Sequence, residues 1–149
     1  MHASMSLWPS SWNVSTNRSG VPRTRLGIGI PFYGACWRNV TAPRLFGGTL
    51  VASDNTMSYR NIVQGYYTPA VRLWDDEAKM PYLSSNAPLG AQQCTFVSYD
   101  DEQSIAAKGA FVRTNGLGGT IVWTISQGHL ADRPAGQRDP LLQAIRQSF

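Results

Sequence analysis

The chain has 149 residues, 42% of them hydrophobic and 15% charged, enough for one domain with an ordinary core. Five Trp, six Tyr and five Phe exclude a solvating, disordered chain, and no apolar run approaches the roughly 18 residues of a membrane-spanning helix. The net charge of +4 rests on arginines scattered from Arg18 to Arg146, without the clustering that phosphate binding needs, so neither a membrane nor a nucleic-acid partner is expected.

Residues 1–18 are rich in Ser, Asn and Trp and follow no helical or alternating period; they read as an irregular tail. No basic segment followed by an apolar stretch opens the chain, so no signal peptide is expected. Gly20-Val21-Pro22 predicts a turn. Residues 25–30 then alternate Leu26, Ile28 and Ile30 with Gly27 and Gly29, a strand with one bulky and one bare face. Pro31 cannot donate to a ladder and should end it. Residues 38–93 carry Gly47-Gly48 and four prolines. They predict a small α+β insertion with strands near 49–52, 70–74 and 79–83, a helix near 57–64 and a turn at Asp75-Asp76-Glu77.

Regular alternation returns at 94–99, a predicted strand followed by a helix capped by Asp100 or Asp101 and running to about Thr114. Its apolar face would carry Ile105, Ala106, Gly109 and Val112, and Asn115-Gly116 would stop it. Residues 119–125 form an unbroken β-branched and aromatic run, the pattern of a strand buried on both faces. A closing helix over 141–149 follows Pro140.

Little in the sequence speaks for metal, cofactor or nucleophile chemistry. The histidines are His2 and His129, and the pattern holds no CxxC, HxxH or HExxH spacing, so neither a metal nor a cofactor is expected. Cys36 and Cys94 read as buried free thiols, with one disulfide as the alternative. The acids at 75–77 and 100–102 have structural roles available, a turn tip and a helix start. The aromatics are more informative. Pro31-Phe32-Tyr33-Gly34 follows the first strand, where β/α structures place their functional loops, and Trp123 sits in the last strand. A Trp there is either core filler or an aromatic platform for the apolar side of a sugar ring.

Three segments together resemble the C-terminal part of family-18 chitinases: Leu26-Gly27-Ile28-Gly29-Ile30-Pro31-Phe32-Tyr33-Gly34; Phe96-Val97-Ser98-Tyr99-Asp100-Asp101 with Ser104-Ile105 and Lys108; and Gly116-Leu117-Gly118-Gly119 leading to Trp123. The resemblance spans residues 19–149. It implies an α/β fold: the seventh and eighth strands of a (β/α)8 barrel with the family's α+β insertion between them. A complete barrel needs roughly 250 residues, so a C-terminal fragment is expected. The implied activity is hydrolysis of β-1,4-linked N-acetylglucosamine polymers, and the implied partner is chitin or its oligosaccharides. Trp123 matches the family's floor of the cleavage-point sugar subsite, Tyr33 the tyrosine of the PxYG segment, and Trp37 a further cleft aromatic. The family is typically secreted.

This sequence departs from the family pattern at Ala35, where an arginine is common, and at Thr124-Ile125-Ser126-Gln127-Gly128, where an acid often follows the tryptophan. Neither the DxxDxDxE segment, whose glutamate is the family's general acid, nor an MxYD segment occurs, and the glutamates present are Glu77 and Glu102. No catalytic residue is therefore assigned. The alternatives are a non-catalytic chitin-binding protein and a truncated product without function. Strands 25–30 and 119–125 would also leave their outer edges unpaired, which predicts self-association.

Overall fold

A computed structural model describes residues 20–149; the tail expected at 1–18 lies outside the described residues. A 3-10 turn at Arg23–Arg25 leads into β1 (Gly27–Pro31), and Phe32 alone separates it from β2 (Tyr33–Arg38). There follow β3 (Thr49–Ser58), α1 (Tyr59–Gly65), β4 (Arg72–Asp75), β5 (Met80–Leu89) and β6 (Cys94–Ser98). The chain closes with α2 (Glu102–Asn115), β7 (Gly119–Trp123), a 3-10 turn at Ile125–Gly128 and α3 (Pro140–Ser148).

The strands form two sheets. β1 and β7 pair in parallel, Gly27 opposite Gly119 and Pro31 opposite Trp123, while the other five form an antiparallel sheet in the order β3-β2-β6-β5-β4. A parallel pair requires a long crossover, and here the crossover contains the whole antiparallel sheet and α2. The core lies beneath both: Ile30, Phe32, Met57, Ile62, Leu83, Val97, Ile105 and Leu141 are all essentially inaccessible.

Four local expectations change. The Tyr33-Gly34 stretch is not a loop but the start of β2, because its amides find partners in β3 on one side and β6 on the other. The strand expected at 94–99 belongs to the antiparallel sheet, between β2 and β5, and not to the β/α alternation. β3 and β5 each extend to ten residues, beyond the short runs their hydrophobicity marks. Cys36 and Cys94 are not free thiols: they form a disulfide with Cα atoms 5.4 Å apart. The adjacency of β2 and β6, with Cys36 in register with Val97, supplies what a 58-residue separation cannot.

Helix α2 shows how the acidic cluster is used. Asp101 caps it, accepting from the Ser104 amide at 3.0 Å, while the Ser104 hydroxyl accepts from the Asp101 amide at 2.9 Å. Asp100 is fully buried and takes Lys108 Nζ at 2.5 Å and Ser104 Oγ at 2.6 Å. Lys108 thus faces inward with Ile105, Gly109 and Val112, whereas Ala106, expected on that face, is exposed. Gly116 ends the helix at φ +61°, as Asn115-Gly116 predicts. At Gly109 α3 comes so close that a Cβ would sit 2.5 Å from the Ser148 carbonyl oxygen; no side chain fits there.

Candidate functional site

The two-stranded sheet has one covered and one open face. Ile28 and Ile30 of β1 and Val122 of β7 turn toward the protein, with Ile30 fully buried. The alternate residues Gly27, Gly29 and Pro31 lie in register with Gly119, Ile121 and Trp123, and this face is open. A Cβ placed on Gly29 would meet nothing within 4 Å. Ile121 and Trp123 are 68% and 63% exposed, and Ile125 beyond them 54%. The run expected to be buried on both faces is therefore buried on one, and Trp123 is not core filler: it ends the open face, opposite Pro31 and two positions beyond the Gly29–Ile121 pair.

The position of Trp123 is held from three sides. Its carbonyl accepts from the Phe32 amide at 2.8 Å, and the Phe32 carbonyl in turn accepts from the Tyr59 amide at 2.8 Å. The Trp123–Thr124 peptide is cis. Just beyond it, the Thr124 amide donates to Gln127 Oε1 at 3.2 Å, and Gln127 Nε2 donates to Asp54 Oδ1 and Asn55 Oδ1, each at 2.9 Å. Gln127 is 5% exposed while Asp54 and Asn55 are exposed, so this clamp ties a buried amide at the exit of β7 to the surface of β3. Nothing in the sequence marks Gln127, a glutamine in a Ser- and Gly-flanked loop, as more than a surface residue.

Tyr33 opens β2 two residues after Pro31, the register partner of Trp123, so the fold brings Tyr33 and Trp123 to the same end of β1. Trp37 goes elsewhere. It packs edge-on against Phe96 at 5.8 Å and lines a cavity of about 380 Å³ together with Val40, Pro43, Leu45 and Phe46. Phe46 is fully exposed at the tip of the β2–β3 connection and extends that aromatic surface. Sequence reasoning passed over it as part of a glycine-rich turn.

The two glutamates are engaged elsewhere. Glu77 lies 3.4 Å from Arg44, and the Glu102 oxygens lie 3.5 Å from Tyr59 Oη. Burial, reinforced by Glu102 and Asp101, pushes the Tyr59 phenol far above its ordinary range, so it stays protonated. Among the described residues no group of three or more His, Cys, Asp or Glu is placed to hold a metal ion. What the open face offers is a solvent-facing aromatic ring, its backbone fixed by a hydrogen bond, at the end of a face left bare by Gly27 and Gly29.

Comparison with known proteins bears on that arrangement. A family model described as "Glycosyl hydrolases family 18" matches residues 1–128. The "Probable endochitinase" of Caenorhabditis elegans is 29% identical over 153 aligned residues, which cover 91% of this chain and 24% of that protein. Among solved structures, a family-18 N-acetylglucosaminidase from Paenibacillus barengoltzii is 27% identical with a TM-score of 0.64, over 96% of this chain and 42% of that one. A chitinase-like agglutinin from Robinia pseudoacacia is 27% identical with a TM-score of 0.63, over 89% of this chain and 34% of that one. The chain spans about a quarter of the length of the curated endochitinase.

Proposed function

This chain belongs to family 18 of the glycosyl hydrolases, and from that premise we propose that it forms the C-terminal part of a chitinase-like β/α barrel and supplies that barrel's glycan-binding surface. In this reading β1 and β7 are the seventh and eighth barrel strands, and the antiparallel sheet is the insertion between them. The open face of Gly27, Gly29, Ile121 and Trp123 turns to the barrel axis. Trp123 floors a subsite for an N-acetylglucosamine unit of chitin, Tyr33 borders it, and Trp37 with Phe46 offers a further aromatic contact for a polymer. The proton donor is not among these residues. Family members draw the attacking group from the substrate's own acetamide, an exception to the two-carboxylate scheme, but still require a positioned acid.

The observation that carries the reading is the 63% exposure of Trp123 on a face its own strands leave bare. With Ile121 and Ile125 it forms an exposed apolar patch, and such a patch marks a surface that a ligand or a partner covers. The disulfide supports a secreted protein, since such bonds persist in oxidising compartments. A non-catalytic, lectin-like role is the second reading, favoured by the engagement of Glu77 and Glu102 away from Trp123; the solved relative called an agglutinin fits it.

Titration with N-acetylglucosamine oligomers tests the first reading. Because Trp123 is exposed, Trp123→Phe should fold normally and weaken binding about threefold to tenfold, on the scale of aromatic contacts. Unchanged affinity in a folded variant removes Trp123 from the site. Product release measured alongside separates the two readings: turnover abolished by Glu102→Gln would place a catalytic acid on this chain after all.

A further inference from the structure

Between α1, the start of α2 and the connection preceding α3 lies a cavity of about 220 Å³, lined by Tyr59, Val63, Tyr67, Arg72, Tyr99, Asp101, Glu102 and Arg133. It shares no residue with the Trp123 face. Its floor holds an unpaid polar group. Tyr99 is 3% exposed, and its hydroxyl is buried without a hydrogen-bond partner. Tyr99 lines the cavity with Asp101 and Arg72, whose charges act on its hydroxyl; Arg72 approaches it without the geometry of a full hydrogen bond. Buried, unpaired hydroxyls are costly, and those that persist generally have a reason in function or bound solvent.

The walls also say what would fit. Arg72 is already committed, donating to Asp101 at 2.6 Å and to Gln103 at 2.9 Å. Arg133 and Glu102 add one charge of each sign, so the lining is balanced and favours neither a phosphate nor a metal cation. Tyr59 Oη donates only over 3.5 Å to the Glu102 oxygens, a weak bond that leaves its single O–H easily redirected and its lone pairs open. Phenols, a carboxylate and a guanidinium around a Val63 wall form alternating donors and acceptors beside an apolar patch. That is the complement of a ring bearing several hydroxyls.

We propose that this cavity is a second ligand site, taking one neutral polyhydroxylated ring such as a single hexopyranose unit. Tyr99 and Tyr59 form its hydrogen-bonding floor, and Tyr67 stands at its rim.

The test uses the monosaccharides N-acetylglucosamine and glucose, with inorganic phosphate as the charged control, followed by saturation-transfer NMR on the whole chain. At least one sugar should bind the wild type. Tyr99→Phe, which removes only the hydroxyl, should weaken that binding about fivefold to tenfold, the value of one hydrogen bond to a buried group. Val63→Phe, which fills the cavity without touching a polar group, should abolish it and carries the test if Tyr99→Phe fails to fold. Sugar binding that survives both cavity variants and falls with Trp123→Phe overturns the second site and leaves the Trp123 reading standing. Absence of sugar binding by the wild type, or phosphate bound in its place, also overturns it; in the first case the cavity holds only water.

Discussion

Asp75 does two things from one buried position. Its Oδ1 accepts from the amides of Glu77 and Ala78 at 3.0 and 3.1 Å, shaping the turn that joins β4 to β5. Its two oxygens also take a forked pair of bonds from Arg44 at 2.6 and 3.2 Å, tying down the 39–48 connection. Burial works against its charge, but Arg44 and the two amides outweigh it and hold the carboxyl below its ordinary value of 3.8. A carboxyl whose folded pKa is depressed stabilises the fold above the unfolded value. That contribution drains away as pH falls through the folded one. Asp75→Asn should therefore lower the melting temperature at pH 7, and the gap from wild type should close as the pH is taken below about 4. A gap that persists undiminished at pH 2 would assign the loss to the turn geometry and not to the charge.

The joint between β2 and β6 is where the antiparallel sheet gains most from a covalent link. The disulfide closes a loop spanning 58 positions that contains β3, α1, β4 and β5. In the chain-entropy account a loop of that size stabilises by about 4 kcal/mol, with 2–4 kcal/mol typical of measured cases. The double substitution Cys36→Ala with Cys94→Ala should lower unfolding free energy by about 2–4 kcal/mol, read from the urea midpoint at constant slope. A loss under about 0.5 kcal/mol would mean that the five strands already close the loop without the bond. Helix α2 depends on a different device, the fully buried Asp100 with Lys108 and Ser104 arrayed around it, which joins the end of β6 to the helix that follows.

Taken whole, the molecule couples a five-stranded antiparallel sheet to a two-stranded parallel one. Each strand of the antiparallel sheet finds local partners, but among the described residues β1 and β7 have only each other. Their outer edges carry unpaired backbone groups, and the adjoining face exposes Ile121, Trp123 and Ile125. Such edges and faces pair with whatever resembles them. The isolated chain should show concentration-dependent association in sedimentation velocity, and its hydrogen exchange should be slowest in β2, β5 and β6 and faster in β1 and β7. A strictly monomeric protein with strong protection throughout β7 would contradict this, and would require the residues outside the described range to cover those edges.

How far the sequence reaches depends on the range of the interaction that decides each feature. The strand of Ile28 and Ile30 with its bare glycine face, the cap at Asp101 and the stop at Gly116 are all legible, because each is settled by residues within a turn or two of one another. The family too can be read from three short segments in order. What could not be read depends on strands meeting across the chain. β2 looks like a loop until β3 and β6 flank it, and the cysteines look like thiols until that pairing brings them together. Lys108, in the sequence only one residue of a motif, turns inward because Asp100 is buried beneath it. Trp123 is the clearest case. Its hydrophobicity argues for burial, yet Gly27, Gly29 and Pro31, whose bare face it continues, lie nearly a hundred positions earlier, and only the parallel register of β1 with β7 joins the two.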